Sequence, residues 1–593
     1  MVCIVYYEIE RRRKTMNKPR KITVFGDNEE TSVITQREDL ASNEEITNVF
    51  GIDLGTTNSA ISIVKGGRPE IIPVNGKDTI PSCVMWKDGK FIVGLEAYNN
   101  KALPNVVYSV KRLMESPYAT VTFVDGDKSI TMTPTEVSAE ILKGIIAATD
   151  GKYGDIKDVV VTVPAYFNDI GKRNTMEACN LAGLNLVALE NEPSAAALQY
   201  DLKEGVESED VLIYDLGGGT FDVTLARISQ LSNADFDIYG FGNASNTQAS
   251  KVIRPLALGG NGTLGGDDID NNLFDIMVDK IHLKRDDFEL VDVKKYTAQL
   301  ERMKKSNVRG QFQTMIDAAL KDGREVHEKV VITPEDFVDA TMPVYKKARK
   351  EVLHVLKEVP NHVTKLLLVG GSTKNPIIRE ALAHDFPQFE ISATLHPDEV
   401  VALGASVKGR ILKYGDSNIA SFDILPMTIG ILDCSGSVIP VIGKNAELPV
   451  TASAPFTVEH EGQTEMRVAV YQGNSTFKEE CVYLGDLVID GIPTNTEKSP
   501  ELLVRLTVTA NNVLICDAFV EGIHKSLQLS LNNDSVSTKT VSRDEKALIR
   551  WRALADKFTG EKRKKFEKLL EDYPEKVSRD DVRAFLKANL KEG

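Results

Sequence analysis

The chain has 593 residues, of which 42% are hydrophobic, so several globular domains with sizeable cores are expected. Its formal net charge of −15 argues against a nucleic-acid-binding surface, which would need clustered Lys and Arg. The six cysteines are too scattered for a metal site or redox pair and too few to stabilise a secreted protein of this size, which indicates a reducing, cytoplasmic compartment. No apolar run approaches the ~20 residues that span a bilayer, so no membrane partner is expected.

The first 47 residues carry no motif that points to a function. Residues 21–25 alternate enough for a short strand, whereas the acidic, Ser- and Asn-rich stretch up to residue 47 is typical of a flexible segment. The basic run at 11–14 is interpreted as a solvated surface. We therefore assign no activity to this N-terminal extension (1–47).

Two glycine- and threonine-rich phrases share one pattern, GIDLGTTNS at residues 51–59 and YDLGGGTFD at residues 214–222. Each lies beside apolar runs that alternate like strands, so each is predicted to be the turn of a β-hairpin. Glycine can adopt positive φ and lets backbone N–H groups reach phosphate oxygens, and threonine hydroxyls add further donors. Two such turns predict one nucleotide held between two related lobes.

An aspartate opens each turn, Asp53 in the first and Asp215 in the second. A carboxylate would repel phosphate unless a hard cation and its water shell lay between them, which predicts Mg²⁺. A single glycine-rich turn is most often an ordinary hairpin. Two copies with aspartate, glycine and threonine in the same order are much harder to obtain by chance.

At these residues the chain resembles the heat-shock protein 70 (Hsp70) chaperone family. Phrases at 159–169, 181–185 and 191–197 look like that family and are absent from actin and the sugar kinases, which share its ATPase fold. Residues 264–268, 368–373 and 397–405 match the remaining nucleotide-site motifs in the same order. The resemblance is specific from about residue 48 to 413 and traceable to about 531. It identifies the chain as a divergent bacterial member with a shortened C-terminal lid.

The resemblance and the changing texture of the sequence predict four parts after the N-terminal extension. Residues 48–415 mix strands and helices, including helices at 135–146 and 296–305, and are expected to form an α/β, actin-like, two-lobed nucleotide-binding (ATPase) domain. Residues 416–423 are an interdomain linker. Short alternating runs separated by Gly, Pro and Asn predict a peptide-binding β-sandwich over 424–541. Residues 542–593 are predicted to be a short, helical, lid-like segment.

The last two parts carry the following predicted elements. The strands of the sandwich are placed at 424–431, 438–442, 466–471, 502–508, 513–519 and 526–531. The helices of the lid-like segment are placed at 543–558, 561–572 and 579–590, two of them beginning with capping boxes.

Members of the family hydrolyse ATP by in-line attack of water on the γ-phosphate, so the protein positions groups and neutralises charge. The resemblance implies that Asp53 and Asp215 hold the Mg²⁺ shell and that Glu192 orients metal-bound water. Lys111 resembles the lysine that neutralises the transferred phosphoryl group, although by itself it would be an ordinary surface lysine. Asp222 matches a position for water or a monovalent ion such as K⁺, the alternative being a turn-capping aspartate.

The remaining site residues follow from the same motifs. Thr220 is assigned to the catalytic group together with the β- and γ-phosphate contacts. The residues implied to bind the nucleotide are Gly55, Thr56, Thr57, Gly217, Gly218, Gly219, Gly265, Gly266, Glu301, Lys304, Lys305, Gly370, Gly371, Ser372, Lys374 and Asp398.

Several positions depart from the family pattern. Val308 stands where many members place a serine near the purine, and Lys374 replaces an arginine that can stack on adenine. The loss of one such contact would weaken nucleotide binding by about 1 kcal/mol. Near Pro164, which matches a switch proline, the arginine position is Lys172, with Arg173 displaced by one.

The linker and the sandwich depart as well. Residues 419–422 read Ile-Ala-Ser-Phe before Asp423, where the family has large aliphatic residues, and two shortened side chains remove on the order of 2 to 4 kcal/mol of docking. Weaker or differently built coupling is therefore expected. Cys434 and Glu459 fall near the arch over the peptide, and Met466 replaces a smaller aliphatic residue at its central pocket. Glu459 would favour peptides with Lys or Arg; alternatively, Met466 is only core and Glu459 only solvated.

Three functions are compatible with these residues. The first is an ATP-driven chaperone of protein folding and the stress response, which binds unfolded or extended segments and works with a J-domain co-chaperone and a nucleotide exchange factor. The second is a regulatory or scaffold protein that binds one dedicated partner with weak or no nucleotide coupling, favoured by the altered linker, altered groove and short lid. The third, small-molecule phosphotransfer, lacks a kinase-like catalytic aspartate motif.

Overall fold

The structure is a computed structural model that describes residues 46–230, 251–414, 419–492, 501–520, 529–530, 560–571, 582 and 585, with short gaps at 117, 150, 152, 201, 203–205, 360–362, 394–395, 459–461, 491, 493–500 and 510–513. The predictions for residues 1–45, for Glu459 and for a helix at 543–558 lie outside the described residues. So does most of the helix predicted at 579–590.

The part of the chain up to Ser421 alternates strands and helices. Its strands are β1 (Ile46–Asp53), β2 (Asn58–Lys65), β3 (Arg68–Ile71), β4 (Ile80–Pro81), β5 (Cys83–Lys87), β6 (Lys90–Val93), β7 (Val106–Tyr108), β8 (Val121–Asp125), β9 (Lys128–Met132), β10 (Asp158–Val163), β11 (Asn185–Asn191), β12 (Ser208–Leu216), β13 (Phe221–Gln230), β14 (Lys251–Asn261), β15 (Phe312–Ala319), β16 (Glu325–Ile332), β17 (Lys365–Val369), β18 (Glu390–Ala393) and β19 (Ile419–Ser421). Its helices are α1 (Leu95–Asn99), α2 (Pro134–Ala147), α3 (Asp169–Leu181), α4 (Glu192–Leu198), α5 (Gly266–Asp279), α6 (Leu290–Ser306), α7 (Pro334–Glu358), α8 (Pro376–Asp385) and α9 (Val400–Tyr414).

Two six-stranded sheets share one strand plan. The first runs β11-β10-β1-β2-β3, with β4 paired to β2, and the second runs β18-β17-β12-β13-β14-β19. In both, three antiparallel strands continue into two parallel strands. Each predicted glycine-rich turn therefore joins the first two strands of its sheet, as expected. The repeated plan defines two related lobes.

Each lobe has its own hydrophobic core. The first gathers Phe50, Ile52 and Phe123 under α2 and α3, and the second gathers Tyr214, Phe221, Phe274 and other buried residues under α5, α6 and α7. Small sheets extend the lobes: β5 pairs with β6 and β7, β8 with β9, and β15 with β16. Because the strands on either side of each hairpin turn belong to these cores, the turns are held in fixed positions.

Local sequence fixes where the longer helices begin. Thr133 precedes Pro134 at the start of α2, accepts a hydrogen bond from Glu136 N at 3.2 Å and donates its own N–H to the Glu136 carboxylate at 2.8 Å. The same reciprocal capping box begins α7 at Thr333. Proline is well suited to the first helical position, where no N–H is required.

Helix α9 lies closely on the first sheet and on α4. A Cβ placed on Gly404 would lie 1.8 Å from the carbonyl oxygen of Ala195, so this approach requires glycine. On the opposite side, the Ser62 hydroxyl donates to the Ala402 carbonyl at 2.6 Å. At these two points α9 therefore contacts the first sheet and α4 through its backbone atoms, with no large side chain in between.

After Phe422 the chain forms two further four-stranded sheets, ordered β21-β20-β23-β24 and β22-β25-β26-β27, and a helix. These elements are β20 (Ile429–Leu432), β21 (Val438–Ile442), β22 (Val450–Thr457), β23 (Glu465–Gln472), β24 (Val482–Asp490), β25 (Glu501–Val508), β26 (Leu514–Val520), β27 (Leu529–Ser530) and α10 (Gly560–Glu571). One cluster of buried residues, including Ile431, Val468, Val504 and Leu506, draws on both sheets. No helix among the described residues is long and apolar enough to cross a membrane.

Candidate functional site

A pocket of about 610 Å³ opens between the hairpins of the two lobes, within the size range of small-molecule sites. Most of the predicted site residues line it: Asp53, Gly55, Thr56, Thr57, Lys111, Glu192, Asp215, Gly217, Gly218, Thr220, Gly266, Glu301, Lys304, Lys305, Gly370, Gly371, Ser372, Lys374 and Asp398. Three predicted residues do not. Gly219 packs against Thr56, Gly265 packs against the backbone of Gly218, and Asp222 accepts a hydrogen bond from Tyr166 N at 3.0 Å.

The two hairpin turns touch each other at one end of this pocket. A Cβ on Gly218 would lie 1.7 Å from the Thr57 hydroxyl oxygen, so only glycine fits there. Both the Thr56 and the Thr57 hydroxyl oxygens are buried without a hydrogen-bond partner among the described residues. Because a buried unpaired hydroxyl is unfavourable, these atoms are suited to a ligand with several oxygen acceptors.

Three buried carboxylates, from Glu192, Asp215 and Asp222, and the half-buried carboxylate of Asp53 lie around the buried Lys111 in the described part of this end. Lys111 forms an ion pair with Glu192. Burial and then the charge of Glu192 raise the pKa of Asp53 to about 7 and that of Asp222 to about 8. The same causes raise the pKa of Asp215 well above its usual range. One lysine does not balance this many acids.

This excess of negative charge fits a divalent cation. Among the described residues, no group of three or more His, Cys, Asp and Glu side chains is arranged to hold a metal ion alone. An ion here would therefore need phosphate and water oxygens in its coordination shell, as Mg²⁺ commonly has. The Thr162 hydroxyl donates to Asp53 at 2.9 Å and orients that carboxylate.

Helix α6 contributes the predicted acid and two lysines to the middle of the pocket. Lys304 donates to the Gly266 carbonyl at 2.7 Å and to Asp270 at 2.8 Å. Glu301 accepts from Lys101 at 2.8 Å and from Lys305 at 2.7 Å. Burial alone would raise the pKa of Glu301, but the two lysines lower it to about 2. Glu301 is thus a stable anion.

Several polar contacts bridge the lobes beside the pocket. Lys101 of the first lobe reaches Glu301 of the second, and the Ser109 hydroxyl reaches Asp267 at 2.5 Å. Arg112 donates to the Gly219 carbonyl at 2.9 Å and forms an ion pair with Asp268. A ligand in the pocket would therefore lie beneath polar contacts that join the two lobes.

The predicted linker lies against the second lobe. Its strand β19 pairs in parallel with β14, and Phe422 N donates to the Ile253 carbonyl at 3.0 Å. Asp423 is buried, and its carboxylate accepts from Asn191 at 2.7 Å and from the Ser194 hydroxyl at 3.2 Å. A docked linker is therefore held by backbone pairing and by polar contacts.

Lys172, the predicted replacement for an arginine, is buried close to Asp423. Burial lowers the pKa of Lys172, while the charges of Asp423 and Asp169 act in the opposite direction. The neighbouring Arg173 pairs with Asp169 at 2.7 Å. A second pair, between the half-buried Lys408 and the buried Glu190 at 3.1 Å, lies beside the same region. Lys172 and its two neighbouring aspartates thus place a buried lysine next to the linker aspartate.

The C-terminal sheets contact the lobes directly. Asp169 N donates to the Gln472 side chain at 2.9 Å, and Asn445 donates to Glu358 at 3.0 Å, where Lys444 also pairs with Glu358. Cys434 is exposed, whereas Met466 is half-buried and packs against the core shared by the two sheets. These contacts join the sheets to α3 and to the end of α7.

Sequence reasoning missed several residues that line the pocket, including Asn58, Asp267, Asp270, Arg309 and Asn375. Asp267 lies inside the motif at residues 264–268, and Asp270 lies one helical turn after it on α5, so spacing along the sequence could have found both. Arg309 and Asn375 lie at segment ends, where no motif marked them.

The duplicated sheets with a pocket between their hairpins define a two-lobed α/β protein. The family model described as Hsp70 protein matches residues 49–591, so the chain belongs to the Hsp70 family, whose members have an actin-like ATPase domain. The chaperone protein DnaK of Mycoplasmoides gallisepticum is 33% identical over 503 residues, which cover 82% of this chain and 81% of that protein.

Proposed function

We propose that this protein is an ATP-dependent molecular chaperone that binds exposed hydrophobic peptide segments and changes its affinity for them as it hydrolyses ATP. Membership of the Hsp70 family and the likeness to a chaperone protein DnaK support this function. The proposed units are an ATPase domain at 48–415, a linker at 416–423, a peptide-binding β-sandwich at 424–541 and a lid-like segment at 542–593.

The chain's own residues would act mainly by position and charge. Thr56, Thr57 and the glycines of the second turn would donate hydrogen bonds to phosphate oxygens, and Lys111 would neutralise the transferred phosphoryl group. Glu192 would accept a hydrogen bond from a water molecule and hold that water in line with the phosphoryl group it attacks. Mg²⁺, bound through Asp53 and Asp215, would supply neutralising charge to the phosphates, and a monovalent ion such as K⁺ beside Asp222 is part of the same proposal.

One observation supports the proposed coupling between nucleotide binding and peptide binding. Adjacent residues at the end of β11 face two regions: Asn191 binds Asp423 of the linker, and Glu192 binds Lys111 in the pocket. A second short path runs from Asp222 to Tyr166 N and from Asp169 N to Gln472 of the C-terminal sheets. A displacement of residues 191–192 at the phosphate end of the pocket would therefore move a residue that binds the linker. A displacement of residues 166–169 would move a residue that binds the C-terminal sheets.

The partners follow from this function. An extended polypeptide would bind the C-terminal sheets, and a J-domain co-chaperone and a nucleotide exchange factor would act on the ATPase cycle. Cys83, Cys179, Cys434, Cys481 and Cys516 are all free thiols, which suits the reducing cytoplasm proposed here.

The test is the dissociation rate of a fluorescent, basic-hydrophobic peptide from the full chain, measured with ADP and then with ATP. ATP is expected to accelerate release, and Gln472→Ala is expected to reduce that acceleration. Gln313→Ala is the matched control, because this glutamine is exposed on β15 of the second lobe. Peptide release that does not respond to ATP would refute the coupled chaperone and would favour one dedicated partner.

A further inference from the structure

A cluster of charged groups lies where Asp423 of the linker docks. Glu190, near the end of β11, is the most deeply placed of them, with a side chain that is only 1% exposed. Its carboxylate lies 3.1 Å from the Nζ atom of Lys408 on α9. Docking of the linker brings a second carboxylate to this pair, because the charge of Asp423 acts on both Glu190 and Lys408.

The sequence places Glu190 in the interior through the alternation of its strand. Ala188 of β11 and Ala405 of α9 belong to one apolar cluster, so they lie in the contact between strand and helix. Glu190 follows Ala188 by two residues and Lys408 follows Ala405 by three, which keeps each on the same face of its element. The strand therefore carries an acid into the interior, and the helix supplies the cation beside it.

The groups around Glu190 come from several elements. Lys408 of α9 and Asp423 of the linker face it directly, and β10 opposes it with Thr162, which carries no charge. Helix α3 contributes the charged groups beyond Asp423, which are Lys172, Asp169 and Arg173. Among the described residues, Lys408 is thus the cation that favours the charged form of Glu190, and Asp423 is the anion that opposes it.

The protonation of Glu190 depends on whether the linker is docked. Burial raises the pKa of Glu190, the charge of Lys408 lowers it and the charge of Asp423 raises it, and the resulting pKa is about 7. In an undocked chain the linker carboxylate is gone and water reaches the end of β11, so the pKa returns toward its ordinary value of 4.5. The docked form therefore binds more protons than the undocked form near neutral pH.

We propose that Glu190 makes docking of the linker sensitive to pH, so that acidification within the neutral range holds the linker more firmly. Docking takes up a proton on Glu190, and this proton removes the repulsion between the carboxylates of Glu190 and Asp423. Because the docked form binds the extra proton, docking strengthens as pH falls through 7 and weakens as pH rises above it. The inference rests on the proposed coupling of nucleotide to peptide through the linker, and it adds a condition that regulates this coupling.

The experiment is hydrogen exchange of the full chain at saturating ATP and Mg²⁺, followed at residues 419–425 at pH 6 and at pH 8. Dividing each rate by that of an unfolded peptide of the same sequence at the same pH gives the protection that docking provides. With a pKa of about 7 when docked and 4.5 when undocked, protection should rise about tenfold from pH 8 to pH 6.

Four variants assign this response to its residues. Glu190→Gln keeps the neutral form, so its protection should be the same at both pH values. Lys408→Gln removes the cation that lowers the pKa of Glu190, so the midpoint of the change should move above pH 7. Lys172→Arg stays charged throughout this range and should respond like the wild type. Glu70→Gln is the matched control, because Glu70 is exposed on β3 at the opposite edge of the same sheet and should also leave the response unchanged.

The outcomes separate this inference from the proposed function. ATP-dependent protection that is equal at pH 6 and pH 8 would overturn the role of Glu190 and leave the coupling intact. A response that survives Glu190→Gln, or that Lys172→Arg abolishes, would assign the titration to another group and would overturn that role as well. Linker amides that ATP does not protect at either pH would overturn the proposed coupling itself.

Discussion

Replacing Asp423 by alanine should release the linker from its docked position. The variant removes two hydrogen bonds to a buried carboxylate, from Asn191 at 2.7 Å and Ser194 at 3.2 Å, and leaves the buried Lys172 with Asp169 but without Asp423 as a nearby anion. Hydrogen bonds to a charged group contribute about 1.5 to 3 kcal/mol each. Since these terms overlap, a net loss of about 3 kcal/mol of docking is expected, which is roughly a 150-fold change in the docking equilibrium.

Hydrogen exchange of the linker amides measures this directly. In the docked linker Phe422 N donates to Ile253, so its exchange reports opening of the β14–β19 pair. With ATP bound, Asp423→Ala should accelerate exchange over residues 419–425 by about two orders of magnitude. Asp423→Asn keeps the shape and an acceptor but loses the charge, so its effect should be intermediate. Asp155→Ala, which breaks only an exposed pair with Lys157, is the matched control.

The reasoning would be refuted if Asp423→Ala exchanged its linker amides at the wild-type rate while still binding ATP. The linker would then be held by backbone pairing and apolar contact alone. The same variant should also lose ATP-accelerated peptide release, which links the measurement to the proposed function.

Three further predictions concern the pocket. Lys111→Ala should lower the hydrolysis rate by at least about 100-fold while changing ATP affinity much less, because the lysine acts on charge in the transition state. Gly218→Ala should weaken ATP binding by more than about tenfold, because its methyl group would push the two hairpin turns apart. Glu301→Gln should lose stability at pH 7. The pKa of Glu301 is lowered to about 2, so its stabilisation is full above its unfolded value near 4.5 and is lost as pH falls. The free-energy gap between wild type and variant should therefore shrink by about 1 kcal/mol from pH 7 to pH 4.

Each of these has a control and a contrary result. Normal hydrolysis by Lys111→Ala would show that the catalytic assignment is wrong. A Cβ on Gly443 meets no atom within 4 Å, so Gly443→Ala should bind ATP normally, and equal affinity of the two glycine variants would contradict the contact argument. Urea unfolding of the wild type and of Glu301→Gln at pH 7 and at pH 4 measures the size of the gap. A gap of constant size for Glu301→Gln would contradict its assignment as a stabilised anion.

The elements built from local pattern could be predicted from sequence. The two hairpins follow from glycine turns between alternating runs, and the helices predicted at 135–146 and 296–305 fall within α2 and α6. Strand β21 coincides with the prediction at 438–442. In each case the deciding interactions are between residues close in the chain.

Two strands, β22 and β24, were missed for identifiable reasons. Strand β22 contains Pro455, which argues against a central strand, but β22 is an edge strand and tolerates a missing donor. Strand β24 contains Gly485 at a φ of 148°, close to a shift in its pairing with β23, and also lies at a sheet edge. Edge position is a property of the assembled sheet and is not visible in the strand's own sequence.

The linker shows the limit of the side-chain argument. Its small Ala420 and Ser421 predict little apolar docking, but the polar contacts of Asp423 come from residues more than 200 positions away in the chain. Their estimated contribution of about 3 kcal/mol is similar to the docking lost with the larger side chains. Spacing along the sequence could not supply these partners.

The close seat of α9 has a mechanical consequence. Where backbone meets backbone, as at Gly404 and Ala195, there is no compliant layer of side chains to absorb a displacement. The helix is then expected to move with the sheet as one rigid body, so a rotation of the sheet would also displace the C-terminal end of the helix. That end, Tyr414, lies five residues before the first residue of β19 in the chain, so α9 is the helix that precedes the linker.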